Sequence, residues 1–154
     1  MSLSGAQLIN YSLELAQFAH RNQFDKNNIP YMYHIYGVWN RLSYYEYETQ
    51  ALGILHDIVE DTEFTLCVLE HLGYSIDFII ALESVSRKKD EKYTDFIQRA
   101  KHHPRGRIVK EADLQDNLYR GRLFIELNRT DIVKIKKIES LIKRYENALD
   151  ILKE

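Results

Sequence analysis

The chain has 154 residues, of which 45% are hydrophobic and 29% charged, a balance typical of one soluble globular domain rather than of a disordered or membrane protein. Its 21 basic and 23 acidic side chains leave a net charge of −2, which argues against a global attraction for nucleic acid or an anionic membrane. The single cysteine, Cys67, is expected in the core. The sequence shows no apparent membrane span or signal peptide, so we expect one cytoplasmic domain over residues 1–154.

Hydrophobic residues recur mostly at intervals of three and four, so the pattern predicts an all-α bundle of about seven or eight helices. The first predicted helix begins at Ser4, whose spacing from Gln7 matches a capping box. One face of this helix carries Leu8, Tyr11, Leu15 and Phe18. After a polar loop over 22–30, the other predicted helices cover about 31–43, 46–61, 65–73, 75–85, 93–101, 104–119 and 130–152.

His56 and Asp57 interrupt an otherwise apolar run in the third predicted helix, within ALGILHDIVEDT. A buried carboxylate is costly unless it is paired, hydrogen-bonded or bound to a metal. Helical spacing also sets Asp57 beside Glu60 and Asp61, which we expect near a helix C-terminus, where the dipole disfavours anions. A divalent cation would relieve all of these penalties, although an isolated His-Asp pair is more often solvated or hydrogen-bonded.

Two further residues favour the cation. His34 lies on the preceding predicted helix, in YMYHIYGVW, and Asp113 lies on the apolar face of a later one, in VKEADLQDN. Each alone is more often a structural residue, but with His56 and Asp57 they give two imidazoles and two carboxylates from three helices. This donor set suits manganese, iron, zinc or another divalent ion. It also leaves coordination positions for water and a phosphate oxygen, as hydrolytic metal sites require.

The order of His34, the His56-Asp57 pair and Asp113 resembles the signature of the HD superfamily of metal-dependent phosphohydrolases. HDIVEDT, with the lysine and asparagine of VKEADLQDN, further resembles the Rel/Spo family, whose hydrolase domain removes the 3′-pyrophosphate from the alarmone ppGpp. The stretch AHRNQFDKNNIPYMYHI resembles the same family's first block, and SRKKDEKYTDFIQRA resembles a segment of small stand-alone bacterial HD proteins. The resemblance runs from about Leu8 to the C-terminus.

This resemblance implies a single HD hydrolase domain with four metal ligands, His34, His56, Asp57 and Asp113. The metal it implies is Mn²⁺, with Fe²⁺, Zn²⁺, Co²⁺ or Ni²⁺ as alternatives. Glu60 and Asp61 are implied to position and deprotonate the attacking water. Lys110 and Asn117 are implied to contact the substrate.

The loop before His34 departs from the family pattern. The family has an arginine-lysine pair where this chain has Asp25 and Lys26. The exchange of the arginine for Asp25 removes a cation that would grip a substrate phosphate or stack on a base. Lys26 remains, and Arg87 in the charged loop SRKKDEK is a second candidate for a substrate contact, although such a run is more often a solvated turn.

Three functions that involve a nucleotide remain open at this point, beside a plain helical interaction module in which the polar cluster is a salt-bridge network. The first is hydrolysis of the 3′-pyrophosphate of (p)ppGpp, with a small nucleotide as substrate and no nucleic-acid or membrane partner. The second, motivated by Asp25, is an HD nucleotidase or phosphatase that acts on a simpler nucleotide or on NADPH. The third is a non-catalytic nucleotide-binding regulatory protein, which the retention of every ligand and of the acidic pair disfavours. Self-association is left open.

Overall fold

The structure is a computed structural model that describes residues 4–154. Its secondary structure is helical, which confirms the all-α prediction. In chain order the helices are α1 (Gly5–Ala19), α2 (Met32–Arg41), α3 (Tyr47–Leu55), α4 (Ile58–Asp61), α5 (Leu66–His71), α6 (Ile76–Val85), α7 (Tyr93–His102), α8 (Pro104–Leu127) and α9 (Ile132–Lys153). Among the described residues the one extended pairing is an isolated bridge between Phe24 and Pro30, in the loop after α1.

Side-chain caps fix several helix starts where the sequence predicts them. Ser4 and Gln7 form the predicted capping box of α1, and Thr65 and Ser75 cap α5 and α6 through their hydroxyl oxygens. The α8 helix runs past its predicted end near Tyr119 to Leu127. Its extension packs on α9, which supplies the apolar contacts that hold a long helix together.

The third predicted helix is divided at His56 and Asp57 into α3 and α4. The His56 ring donates from Nδ1 to the carbonyl oxygen of Gly53 over 2.8 Å, and this oxygen is the acceptor that the Asp57 N–H bonds in a continuous helix. Glu60 and Asp61 are the last two residues of the four-residue α4, which ends at Asp61 as the sequence predicts.

The main core lies between α1, α2, α3, α6 and α8. Residues 51–55 of α3 are all buried, which agrees with the apolar character of this segment on nearly every side. Two apolar residues differ from the sequence interpretation: Phe18 does not share the buried face of α1, and Cys67 does not lie in the core. Phe18 is 59% exposed, because the buried face of α1 runs through Ile9 and Ala16. Cys67 is exposed, because α5 buries Leu69 instead.

A second apolar cluster joins α7, α8 and α9. Its members include Phe96, Ile97, Leu114, Leu118 and Leu149, whereas Val109 and Ala112 of α8 belong to the main core. The α8 helix thus lies between the two clusters, and it carries Asp113 and Asn117 at this junction. No helix in the range 4–154 is both long and apolar enough to cross a membrane.

Candidate metal centre

The four predicted ligands come together at the junction of α2, α8 and the break between α3 and α4. His34 Nε2 lies 3.3 Å from His56 Nε2, 3.6 Å from Asp57 Oδ2 and 3.3 Å from Asp113 Oδ1. His56 Nε2 lies 2.8 Å from Asp57 Oδ2 and 3.6 Å from Asp113 Oδ1. One donor atom from each of His34, His56 and Asp57 fits within 4.8 Å of the others. The arrangement is a compact, mixed nitrogen and oxygen donor set.

Both imidazoles are anchored through Nδ1, which turns Nε2 toward the cluster. His34 Nδ1 lies 2.8 Å from Asp116 Oδ2, and His56 Nδ1 donates to the Gly53 carbonyl. A hydrogen bond at the far ring nitrogen is the usual arrangement around a metal-bound histidine. A Cβ added at Gly37 would meet the Asp116 carboxyl carbon at 2.7 Å, so glycine at this position leaves the space in which Asp116 reaches His34.

The carboxylates of the cluster are also held by neighbouring donors. The Tyr31 hydroxyl donates to Asp57 Oδ2 over 2.5 Å. Lys110 Nζ donates to Asp113 Oδ2 over 2.7 Å, and Asn117 Nδ2 donates to Asp113 Oδ1 over 2.5 Å. Every carboxylate that reaches the cluster is therefore fixed in its rotamer by at least one side chain beyond the cluster.

The electrostatics of the cluster favour a positive charge between the carboxylates. Burial opposes the charged form of His56, but Asp57 and Asp113 raise its pKa to about 10. Burial likewise opposes a charged His34, whose pKa the carboxylates of Asp113, Asp116 and Asp57 raise well above the usual value. Burial alone would raise the pKa of Asp57, yet His56 and His34 lower it. Buried carboxylates that stabilise protonated imidazoles so strongly would also stabilise a divalent cation at the same place.

Glu60 and Asp61 lie at the rim of the cluster and keep solvent contact. The Glu60 carboxylate accepts the backbone N–H of Arg87 over 2.7 Å, which ties the charged loop to α4. Partial desolvation and the Asp57 carboxylate raise the pKa of Glu60 and of Asp61 above their ordinary values. Each of these carboxylates is thus a stronger base than a solvated one, beside a site able to bind a cation.

A cavity of about 310 Å³ opens beside the cluster, between the loop after α1, α8 and α9. His34 and Asn117 line it on the cluster side, and Lys26 lines it from the loop. The other two predicted substrate contacts lie elsewhere. Lys110 is buried against Asp113, and the Arg87 guanidinium donates to the carbonyl oxygen of Glu91.

Three residues around this site are missed by the sequence interpretation. Asp116 and Tyr31 orient His34 and Asp57, and Arg120 lines the cavity in an ion pair with Asp25. Asp116 has a signal in the sequence, because it follows Asp113 by three residues on the same helical face. Tyr31 and Arg120 have none, because their contacts depend on how the loop after α1 packs on the rest of the chain.

Comparisons with known proteins agree with the family resemblance. No protein-family profile matches the chain. A probable GTP pyrophosphokinase of Mycobacterium leprae is 28% identical over 121 residues, which cover 72% of this chain. The chain spans 15% of the length of that relative. The solved structure of a metazoan ortholog of SpoT, described as hydrolysing ppGpp and acting in starvation responses, matches with a TM-score of 0.68 and 24% identity. The match covers 99% of this chain and 96% of the other, so the two share a fold.

Proposed function

We propose that this protein is a metal-dependent phosphohydrolase acting on a nucleotide, and that its substrate is (p)ppGpp, from which it removes the 3′-pyrophosphate. The observation that carries the proposal is the convergence of His34, His56 and Asp57 within 4.8 Å, next to a cavity lined by Lys26 and Asn117. A cation site that borders a cavity with basic and aromatic walls suits hydrolysis of a phosphate group on an aromatic ligand. The similarity to a ppGpp-hydrolysing SpoT ortholog supports the choice of substrate.

The donor set fits a divalent ion, which we propose is Mn²⁺, held by His34, His56, Asp57 and Asp113. Such an ion supplies a lowered pKa for bound water and neutralises charge on a phosphate oxygen. The chain's own residues then orient the reactants. Asp116 and Tyr31 hold His34 and Asp57 in the geometry described above, which limits the rearrangement needed on binding.

Glu60 and Asp61 would accept the proton of the attacking water. Their raised pKa values bring them closer to neutral pH, where a general base is most effective. Glu60 is fixed by the backbone N–H of Arg87 at one oxygen and keeps the other for water. The cavity would hold the rest of the nucleotide, with Lys26 at a phosphate and Asn117 at the end nearest the metal.

A phosphate-release panel with and without Mn²⁺ tests the proposal. The panel contains ppGpp, nucleoside monophosphates, nucleoside triphosphates and NADPH. We expect manganese-dependent release of pyrophosphate from ppGpp. If neither phosphate nor pyrophosphate is released from any compound, the phosphohydrolase proposal itself is refuted.

Two variants test the roles within the site. Asp57→Ala should lose bound metal, because it removes a carboxylate that reaches both histidines. Glu60→Gln should keep the metal and slow turnover by about 100-fold or more, the usual contribution of a positioned base. Glu63→Gln is the matched control, since Glu63 is an exposed acid three residues further along. A Glu60→Gln protein that no longer binds metal would show that Glu60 is a ligand rather than a base.

A second function is favoured by Asp25, which stands where the Rel/Spo family has an arginine. This exchange fits an HD nucleotidase or phosphatase that acts on a simpler nucleotide or on NADPH. The same panel separates the two functions, because a phosphatase releases orthophosphate and an alarmone hydrolase releases pyrophosphate.

A further inference from the structure

Asp25 is held rigidly by the loop to which it belongs. Its Oδ1 accepts the backbone N–H of Asn27 over 2.8 Å and that of Ile29 over 2.9 Å, and its own N–H donates to the Ile29 carbonyl over 2.8 Å. Asn28, at the tip, has a φ of 59°, a conformation that asparagine adopts more readily than most residues. With Oδ1 committed to the loop backbone, Asp25 directs Oδ2 at Arg120 on α8.

Asp25 stands where the family has an arginine, so the sequence predicts the loss of one cation from the site. Arg120 supplies a cation to the cavity in its place. Its side chain is 18% exposed and that of Asp25 is 14% exposed, so the pair is mostly desolvated. Asn117, Arg120 and Phe124 lie three and four residues apart and all line the cavity, as expected for one face of a helix.

The guanidinium of Arg120 keeps most of its donors free. Within residues 4–154, its one side-chain hydrogen bond runs from Nη2 to Asp25. Arg99 is a useful contrast, because its Nε, Nη1 and Nη2 all donate to the chain, at Glu91 and at the carbonyls of Glu83 and Ser86. Arg99 is thus a structural arginine, whereas Arg120 is oriented by one partner at Nη2. Its second Nη2 hydrogen, together with Nη1 or Nε, still forms a two-donor fork for a ligand.

The lining of the cavity combines apolar and cationic residues. The wall from α8 and α9 is largely apolar and aromatic, with Phe124, Ile138, Ile142 and Tyr145, and this surface suits the faces of a nucleobase. Lys26 lines the loop side; partial burial and the nearby cations Lys137 and Arg144 lower its pKa, while Asp25 opposes them. Clustered cations suit phosphates, and Arg120 lies beside the apolar wall.

Resting on the proposed function, we infer that Arg120, oriented by Asp25, is a specificity-determining residue that reads a guanine base through its O6 and N7 acceptors. Arginine is a donor only, and guanine presents two adjacent acceptors on that edge, whereas adenine presents N7 beside an amino donor. Arg120 follows Asp113 by seven residues, which is about 10 Å along the helix axis. This separation is comparable to the length of one nucleoside between a metal-bound 3′-phosphate and the edge of its base.

Nucleotide binding without turnover tests this inference separately from hydrolysis. GDP, ADP and 7-deaza-GDP are titrated by calorimetry into the wild-type protein in the presence of Mn²⁺. We expect GDP to bind about tenfold or more tightly than ADP, within the range for one bidentate arginine–guanine pair. The 7-deaza compound, which lacks the N7 acceptor, should lose much of this preference. Equal binding of GDP and ADP, or no binding of either, would overturn the inference.

Variants at position 120 assign the preference to this side chain. Arg120→Ala and Arg120→Lys should each bring the ratio of the GDP and ADP dissociation constants close to one, because lysine keeps the charge but not the fork. Arg122→Ala is the matched control, since Arg122 lies on the same helix, is 64% exposed and pairs with Glu146. Equal weakening of GDP and ADP in both Arg120 variants would mean that Arg120 binds phosphate, and the inference would be wrong.

Asp25→Asn completes the test. Loss of the carboxylate charge should reduce the guanine preference while leaving Arg120 in place, so the ratio should fall between those of the wild type and Arg120→Ala. If Arg120→Ala does not fold, as judged by its thermal unfolding, Arg120→Lys decides the result. The two proposals can fail separately. If the guanine preference disappears in these variants but the wild-type protein releases no phosphate from any compound, the inference is supported and the hydrolase proposal is refuted.

Discussion

Gly37 controls the candidate metal centre through Asp116, a residue outside the proposed donor set. Substitution by alanine places a Cβ 2.7 Å from the carboxyl carbon of Asp116, closer than real Cβ contacts allow, and 3.0 Å from its Oδ2. Asp116 must then move, and its bond of 2.8 Å to His34 Nδ1 is lost. We therefore predict that Gly37→Ala weakens metal binding although it changes no ligand.

The size of the effect follows from the bond that is broken. Asp116 and His34 have side chains that are 5% and 3% exposed, so their interaction is a buried, charge-assisted hydrogen bond worth about 1.5–3 kcal/mol. Each 1.4 kcal/mol corresponds to a factor of ten, which gives a loss in Mn²⁺ affinity of about 10- to 150-fold. Loss of a partner that orients a metal ligand commonly has an effect of this size.

Calorimetric titration with Mn²⁺ measures the prediction directly. Asp116→Ala should lose a similar amount of affinity, and Gly37→Ala combined with Asp116→Ala should lose no more than Asp116→Ala alone, because the clash has been removed with the carboxylate. Gly121→Ala is the control, since its added Cβ meets Ile142 on α9 at 3.2 Å rather than the centre. Wild-type Mn²⁺ affinity in Asp116→Ala would refute the reasoning.

Three further changes have outcomes that the contacts define. Lys110→Met leaves Asp113 buried without its ammonium partner at 2.7 Å, so we expect a loss of about 3 kcal/mol in the free energy of unfolding. Urea titrations should show that saturating Mn²⁺ recovers part of this loss, and equal losses with and without the ion would contradict the expectation. Tyr31→Phe removes the donor to Asp57 and should weaken Mn²⁺ binding about tenfold, whereas unchanged affinity would mean that Asp57 needs no orienting partner. Hydrogen bonds from Arg99 lower the pKa of Glu91 from 4.5 to about 2, so Glu91 stabilises the fold above pH 4.5 and loses this effect as the pH falls toward 2. Glu91→Gln should therefore be less stable than the wild type by about 1–2 kcal/mol at pH 7, with the difference closing in acid; a difference independent of pH would exclude this cause.

The helical fold follows closely from sequence signals that act over short distances. Ser4, Thr65 and Ser75 cap helices at their predicted positions because capping depends on a side chain and a backbone N–H three residues away. The break between α3 and α4 is harder to predict from the hydrophobic pattern, because apolar residues continue on both sides of it. It arises from the hydrogen bond between the His56 side chain and the Gly53 carbonyl. The exposure of Cys67 was also unpredictable, since it depends on which face a short helix turns toward the core.

In the candidate centre, too, some features could be predicted from the sequence and others could not. The close approach of His34, His56, Asp57 and Asp113 agrees with the sequence interpretation, because buried charge is costly wherever the chain places it and these residues relieve it together. The interactions around them depend on contacts between distant segments. Arg120 and Asp25 are 95 residues apart in the sequence, and no local pattern pairs them. Their roles in metal and substrate binding stay predictions that the experiments above test.

One loop, residues 23–31, links the parts of the site that would choose the substrate with those that would act on it. The Gln23 amide donates to the carbonyl oxygen of Asp61 over 2.5 Å, Asp25 pairs with Arg120, and Tyr31 donates to Asp57. Because Asp25 also bonds the loop backbone at two points, a change at Asp25 is transmitted to both ends of the loop. A change at Arg120 removes only the contact with α8. If the loop couples recognition to catalysis, Asp25→Ala, which removes the acceptor of both backbone N–H groups, should therefore alter Mn²⁺ affinity as well as base preference. Arg120→Ala should alter base preference alone.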